Sequence, residues 1–597
     1  MADRRSSPRG LLLLAISAIA WPAWPASAVP QPNAVSNRPA DYLIVGGGPS
    51  GLVVAEQLSR DPRVNVVLLE AGPDSSLDPL VYTPADFSQL IEYLWDYHSS
   101  PDPNLGGRNP ELWQGRALGG GSAVNGMGYC RGAPSVFDEW AQLSGNEGLS
   151  WESMFDAFKA TTHFQEDVHP ADQVPVNQSS FGDGPLEITT QRFQLALDRP
   201  FVDKLSTSLD LTEIDFVSGY GIGVTEQVDA IRADNRTRSD AWNTFGWLAA
   251  NRPNFEVRHN AWASKIGFTG KKADSVTYND TLTDSLHTIR AREIIVAAGA
   301  IGSPHLLMLS GIGPADQLEA VGIQVVQDSP EVGQNLLDHH YAQLVYETIP
   351  EMGTTWQLQH NDTAAREAEA EYAANGGGLF GVADGNVFAA FRVPDSVFDG
   401  LGSYHVSLPE DRPHILHAYT TAPFRAEFAN YSTISPFTAL VQPEGAGNIT
   451  IASDDYRDMP VINSAYWATP ADRAAIIYAY KEYRSLFTSP ELSPYAPVEL
   501  YPGANVTSDE DIWEAIQGGS GSFHHPMGSV AIGSALDSNW RVHGVSGLRV
   551  VGTPAAPNLV TCHPQGTAYA LGYRAAMDIA AADGLRILQS KFPWALE

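Results

Sequence analysis

Cysteine is nearly absent from this chain. Cys130 and Cys562 are the two in 597 residues, so at most one disulfide can form, and neither a cysteine framework nor a Cys-rich zinc site is available. Cationic side chains are also scarce: 36 Lys and Arg stand against 69 Asp and Glu, a net charge of −33. Past the N-terminus the densest basic cluster is Lys271-Lys272. Gripping a phosphate backbone requires clustered cations, so nucleic acid and anionic membrane surfaces are excluded as partners. Beyond the first 28 residues no apolar run reaches the ~20 residues needed to cross a bilayer. There is no internal repeat. What the chain does have is a 43% hydrophobic and 10% aromatic composition, that of a globular protein with a large core. Its length would suit roughly four domains of ~150 residues.

The first 28 residues read as a secretory signal peptide. Arg4, Arg5 and Arg9 form a basic start, Leu11 to Trp21 a short apolar stretch, and Ala26-Ser27-Ala28 a small-residue cleavage site before Val29. Asn-X-Ser/Thr sequons at Asn177, Asn235, Asn279, Asn361, Asn430, Asn448 and Asn505 agree with that route. The expected location is extracellular, in the cell wall or in the secretory-pathway lumen.

A βαβ unit opens the mature chain. Asp41 to Val45 reads as a buried parallel strand, Leu52 to Leu58 as a helix, and Val64 to Leu69 as a second strand ending in Glu70. Between the first strand and the helix, Gly46, Gly48 and Gly51 flank Pro49 and Ser50 in a GxGxxG pattern. Such glycines let the backbone approach a pyrophosphate at a helix N-terminus, and an acid about 20 residues on accepts from a ribose hydroxyl. The unit predicts a dinucleotide site and leaves NAD and FAD both open.

Further stretches narrow the choice. Gly115 to Asn125, reading GRALGGGSAVN, is a second glycine-dense loop, and Gly299-Ala300-Ile301-Gly302-Ser303-Pro304 leads on to Ser310-Gly311-Ile312-Gly313. Val332 to His339 (VGQNLLDH) and His525-Pro526-Met527-Gly528-Ser529 follow. These four, in order and at matching spacing, resemble the signatures of the glucose-methanol-choline (GMC) oxidoreductase family over about Asp41 to Ile587. The resemblance implies an α/β fold, α+β overall. A Rossmann-type FAD-binding domain would be built from discontinuous segments 41–149, 219–338 and 519–597. A substrate-binding domain on an antiparallel sheet would use 150–218 and 339–518, with a solvated helix over Arg366 to Ala374 read from composition.

By the same resemblance, His525 matches the general base that takes the hydroxyl proton while hydride leaves carbon for flavin N5. His563 matches the residue that hydrogen-bonds the substrate oxygen. A helix starting at Thr567 would aim its positive end at the flavin ring. His524 falls on the pocket wall, and Arg541 and Val542 match a segment near the active site. Flavin contacts carry over to Gly46, Gly48, Pro49, Ser50, Gly51, Glu70, Gly121, Asn125, Gly126, Gly128, Cys130, Ala263, Gly552, Thr553 and Gln565. Gly552 departs from the Asp that relatives carry after Leu-Arg-Val-Val. Ala123 and Val124 stand where some relatives bind FAD covalently through His, which implies non-covalent FAD here. Cys130 and Cys562 are open to pairing or to remaining free thiols. His339-His340 lacks a third ligand, so no metal is expected.

The expected function is FAD-dependent oxidation of an alcohol (aryl, lactol or other small-molecule CH–OH), with oxygen or a quinone as acceptor. The alternative is a non-redox homologue, a cyclase or lyase of secondary metabolism, that uses the same histidines for acid–base chemistry with FAD as scaffold. The sequence leaves substrate, acceptor and oligomeric state open.

Overall fold

The computed structural model describes residues 39–167, 176–382, 385–421 and 425–588. The signal peptide and its cleavage site lie outside them. Short runs of branched apolar residues build a parallel sheet: β1 (Ala40–Val45), β2 (Val66–Leu69), β3 (Phe255–Arg258), β6 (Ser285–Val296) and β7 (Leu548–Val550), in the order β3-β2-β1-β6-β7. Both faces are covered, so Tyr42, Leu43, Ile44, Val66 and Ile294 are fully buried. β6 runs on past the parallel sheet to pair with β5 (Lys272–Asp280), which pairs with β4 (Ala261–Thr269). Helix α1 (Pro49–Leu58) starts directly after β1 with Pro at its first turn. It packs against α2 (Gln565–Asp583), which brings residues over 500 apart in sequence to one site. The second strand begins at Val66 rather than Val64, because the Val64 amide is spent on a turn to the Asp61 carbonyl.

The second layer is an antiparallel sheet in the order 498–501, 345–347, 433–440, 415–420, 387–391 and 223–226, with 340–343 pairing both 433–440 and 520–522. Helix Pro470–Phe487 covers it, burying Ala475, Ile476, Ala479, Tyr480 and Tyr483. The expected solvated helix spans Asp362–Asn375, capped by the Asn361 side chain on the amides of Thr363 and Ala364. Two sequence boundaries need correcting. Gly223–Glu226 and Ser520–Ser522 lie in segments assigned to the nucleotide-binding unit, yet both hydrogen-bond into the antiparallel sheet. Strand pairing across 100 residues or more is invisible to local pattern.

Cys130 and Cys562 form a disulfide, with Cα atoms 6.3 Å apart. It ties the loop after Gly128 to the residue preceding His563. No helix among the described residues is long and apolar enough to cross a membrane.

Candidate active site

The carboxyl ends of β1, β2, β6 and β7 open into one cavity of about 1280 Å³, with Val45, Leu69, Ala297 and Val551 in its wall. Open α/β sheets bind ligands at this edge, where strand order reverses. The volume exceeds the ~300–1,000 Å³ of a pocket for one small molecule. At the nucleotide end Gly46, Gly48, Pro49, Ser50, Glu70 and Ala263 line it. Glu70 is buried and accepts from the amides of Gly47 and Gly72, each at 2.8 Å. Burial pushes its carboxyl up to about 7, against the pull of those amides and of Arg116. Trp95, Trp262 and Tyr456, with successive ring centroids 5.0 Å apart, add an aromatic wall there.

Two expected contacts work differently. The Ser50 hydroxyl donates to the Ala568 carbonyl at 2.6 Å and so joins α1 to α2. A Cβ at Gly51 would sit 2.0 Å from the Gly46 carbonyl oxygen, so this glycine permits the close approach of helix and strand and does not line the cavity.

The loop after Gly119 contributes Gly121, Val124, Asn125, Gly126 and Gly128 to the wall. Asn125 is held on both sides: its amide nitrogen donates to Gln565 Oε1 at 2.7 Å, and its oxygen accepts from Arg238 at 2.7 Å. Gln565 also donates to the carbonyls of Met127 and Gly128. Arg238 is fully buried and binds four acceptors under this loop. No motif pointed to it. Gly552 and Thr553 line the cavity at the end of β7. Gly552 has φ 88° and ψ −155°, and a Cβ there would lie 2.6 Å from Ser50 Oγ. Any side chain at this position would be strained and would have to displace Ser50.

Cys130 is in the disulfide and does not line the cavity. Arg541 and Val542 do not either. They run along the free edge of β7, bridging to Arg549 and Leu548, rather than at its carboxyl end.

His525, His563 and His524 converge at the other end. The rings of His525 and His563 are 5.3 Å apart at 78°. His524 stacks on Trp113 at 5.4 Å, and Pro564, Gln565 and Ala568 bring the N-terminus of α2 to the same wall. Asp338, buried, shapes the turn that presents His525. One carboxylate oxygen accepts from the Ser522 hydroxyl and the other from the His525 amide at 2.9 Å. Burial pushes Asp338 up to about 7.

His339 does more. Its Nε2 lies 2.8 Å from the Val560 carbonyl oxygen and its Nδ1 lies 2.9 Å from His525 Nδ1. A carbonyl only accepts, so His339 Nε2 carries a proton. Burial holds His339 down to about 3, so the ring is neutral and its Nδ1 is an acceptor. His525 Nδ1 must then be the donor. Burial first, and then the neighbouring His339, His563 and His524, hold His525 well below the usual histidine range. A neutral His525 protonated on Nδ1 keeps a lone pair on Nε2, which is the form a general base needs. The Asp-His doublet was visible in sequence, but its partner was not. His340 turns away and stacks on Tyr466 at 3.8 Å, so the two histidines share no ligand.

Of the sequons, Asn177, Asn361, Asn430 and Asn505 are exposed, and Asn235 and Asn448 half-buried. Asn279 departs from the expectation: it is buried in β5 and its amide nitrogen donates to Asp284 at 3.0 Å.

Comparison with known proteins identifies the lineage. Family models described as GMC oxidoreductase match residues 40–341 and 443–572. The chain is 30% identical to dehydrogenase pkfF of Emericella nidulans, over 89% of this chain and 92% of that one. It is 32% identical to the oxygen-dependent choline dehydrogenase of Pseudomonas putida strain KT2440, over 87% and 90%. A solved FAD-dependent oxidoreductase from Chaetomium thermophilum superposes with a TM-score of 0.84 at 28% identity, covering 92% of this chain and all of that one. The chain belongs to the GMC oxidoreductase family and is an FAD-dependent oxidoreductase.

Proposed function

We propose that this enzyme oxidises the CH–OH group of a small-molecule alcohol, with His525 as the base. The observation that carries the reading is the Val560–His339–His525 hydrogen-bond chain, which leaves Nε2 of His525 unprotonated beside His563. The cavity fits FAD in its residues: the α1 N-terminus and glycine turn for the pyrophosphate, Glu70 for the ribose, and the Asn125–Gln565 loop for the ring end. When bound, FAD supplies the hydride acceptor.

The protein's own part is proton handling and orientation. His563 holds the hydroxyl oxygen by hydrogen bonding, and burial, which holds its ring down to about 4, keeps it neutral. His525 Nε2 takes the hydroxyl proton, and the resulting imidazolium keeps its Nδ1–H on His339. The N-terminus of α2 favours negative charge arriving at that end of the cavity. The similarity to a choline dehydrogenase supports an alcohol as substrate. Secretion is supported by the basic, apolar and small-residue order of the first 28 residues and by the four exposed sequons.

The test is anaerobic mixing of holoenzyme with aryl, lactol and aliphatic alcohols while following flavin absorbance. The expected result is bleaching by at least one class, slowed ~10²–10⁴-fold in His525→Ala, which retains its flavin. Conversion of substrate without bleaching, abolished by His525→Ala, would overturn oxidation in favour of cyclase or lyase chemistry on the same histidine.

A further inference from the structure

We propose that the cavity selects aryl alcohols bearing a carboxylate at the end remote from the reacting carbon, and that Arg108 holds that carboxylate. The inference rests on reading the cavity as an alcohol-oxidising site. Among the described residues, five charged side chains line it: Glu70, Arg108, Glu111, Arg425 and Glu427. Glu70 is engaged by backbone amides at the nucleotide end. Arg425 is paired with Glu427 at 2.7 Å and lies over the Tyr501 ring.

Arg108 is different. Its Nη1 donates to the Gly518 carbonyl at 2.6 Å and its Nη2 to the Ser520 carbonyl at 2.5 Å. Among the described residues it forms no ion pair with a carboxylate, and Glu111, exposed at the same mouth, makes none with it. Two carbonyls fix the guanidinium plane without neutralising it. The remaining N–H groups, in a planar fork, match a carboxylate.

Position gives the substrate its length. Gly518 and Ser520 lead into the strand that ends at the His525 turn. Ser520 opens that strand and His525 follows five residues on, so at ~3.3 Å rise per residue the chain between them spans at most about 17 Å. The wall between is aromatic. Tyr341 lies over Gly521, where a Cβ would come within 2.6 Å of its hydroxyl oxygen. The Tyr341 ring is 5.2 Å from Phe523, and Phe523 stacks on His525 at 5.4 Å and 15°. Phe437 closes on Phe523 at 4.9 Å. A flat body of one or two rings, with CH–OH at His525 and an anion at Arg108, satisfies both ends.

The probes are 4′-(hydroxymethyl)biphenyl-4-carboxylate and its methyl ester. Each is titrated into His525→Ala holoenzyme by perturbation of the flavin spectrum, and kcat/KM is measured in enzyme with His525 intact. The acid should bind about tenfold more tightly than the ester, a preference that shrinks with added salt. In Arg108→Leu the acid-to-ester ratio should fall to near one, and Arg108→Lys should keep part of it. The ratio is taken within each variant, so a general loss of folding cancels. Equal affinities with Arg108 present, or a preference that survives Arg108→Leu, would overturn the subsite. An Arg108-dependent preference in an enzyme whose flavin the alcohol never bleaches would uphold the subsite and overturn the oxidation.

Discussion

Replacing His339 tests whether one hydrogen bond sets the protonation of the base. His339→Leu removes the acceptor for His525 Nδ1–H, which sits 2.9 Å away, and leaves a buried donor unpaired. Leaving such a group unsatisfied costs about 1–3 kcal/mol. If that cost falls on the arrangement with Nε2 free, flavin reduction slows by about 5- to 150-fold, less than the loss in His525→Ala. His339→Asn places a carbonyl oxygen near the former Nδ1 and should restore most of the rate. His339→Asp places a carboxylate there, and a neighbouring anion raises a histidine pKa. In the wild type burial and the neighbouring histidines hold His525 well below the usual histidine range, so its neutral form persists to lower pH than that of a free histidine. In His339→Asp the raised group is protonated at higher pH than in the wild type, so the acid-side loss of rate should move to higher pH. The assay is anaerobic stopped-flow flavin reduction between pH 5 and 8. Equal losses in the Leu and Asn variants, or a flat profile for Asp, would reduce His339 to a packing residue and refute the reasoning.

Three further outcomes are expected. Gly552→Ala must adopt a glycine-only conformation and place a Cβ 2.6 Å from Ser50 Oγ, so it should lose about 1–3 kcal/mol of stability and retain less FAD; thermal melts and the flavin-to-protein absorbance ratio check this, and wild-type values would count against it. Acid precipitation should release the yellow colour to the supernatant, since Ala123 and Val124 offer the flavin no histidine; colour in the washed pellet would mean a covalent bond. Protein from a eukaryotic secretory host should begin near Val29 and carry glycans among Asn177, Asn361, Asn430 and Asn505 but not Asn279; an intact Met1 with no mass loss on N-glycosidase treatment would refute passage through that route.

The nucleotide half was legible in the chain because its signals are local. A strand, a glycine turn, a helix and an acid lie within about 30 residues, and their chemistry follows from that order. Gly46, Gly48 and Glu70 reach the cavity as that pattern requires, and the antiparallel second layer and FAD followed from four ordered motifs. His525 and His563 were legible for the same reason. Tertiary structure decided what depends on distant partners. No spacing rule pairs His339 with a residue 186 positions away, and yet that contact sets which nitrogen of His525 is free. The Cys130–Cys562 bond was open in sequence because separation in space was unknown, and Asn279 passes the sequon rule while its side chain is used inside a sheet. Arg541 and Val542 follow a family pattern but pair along the edge of β7. The sequence by itself determined the cofactor class and singled out His525 and His563 as the candidate pair for the chemistry. Packing set the donor and acceptor roles of His339 and His525, and among the described residues it left one guanidinium in the cavity wall without a carboxylate partner, because hydrogen bonds and charge pairing are settled by side chains that meet only after the chain has closed on itself.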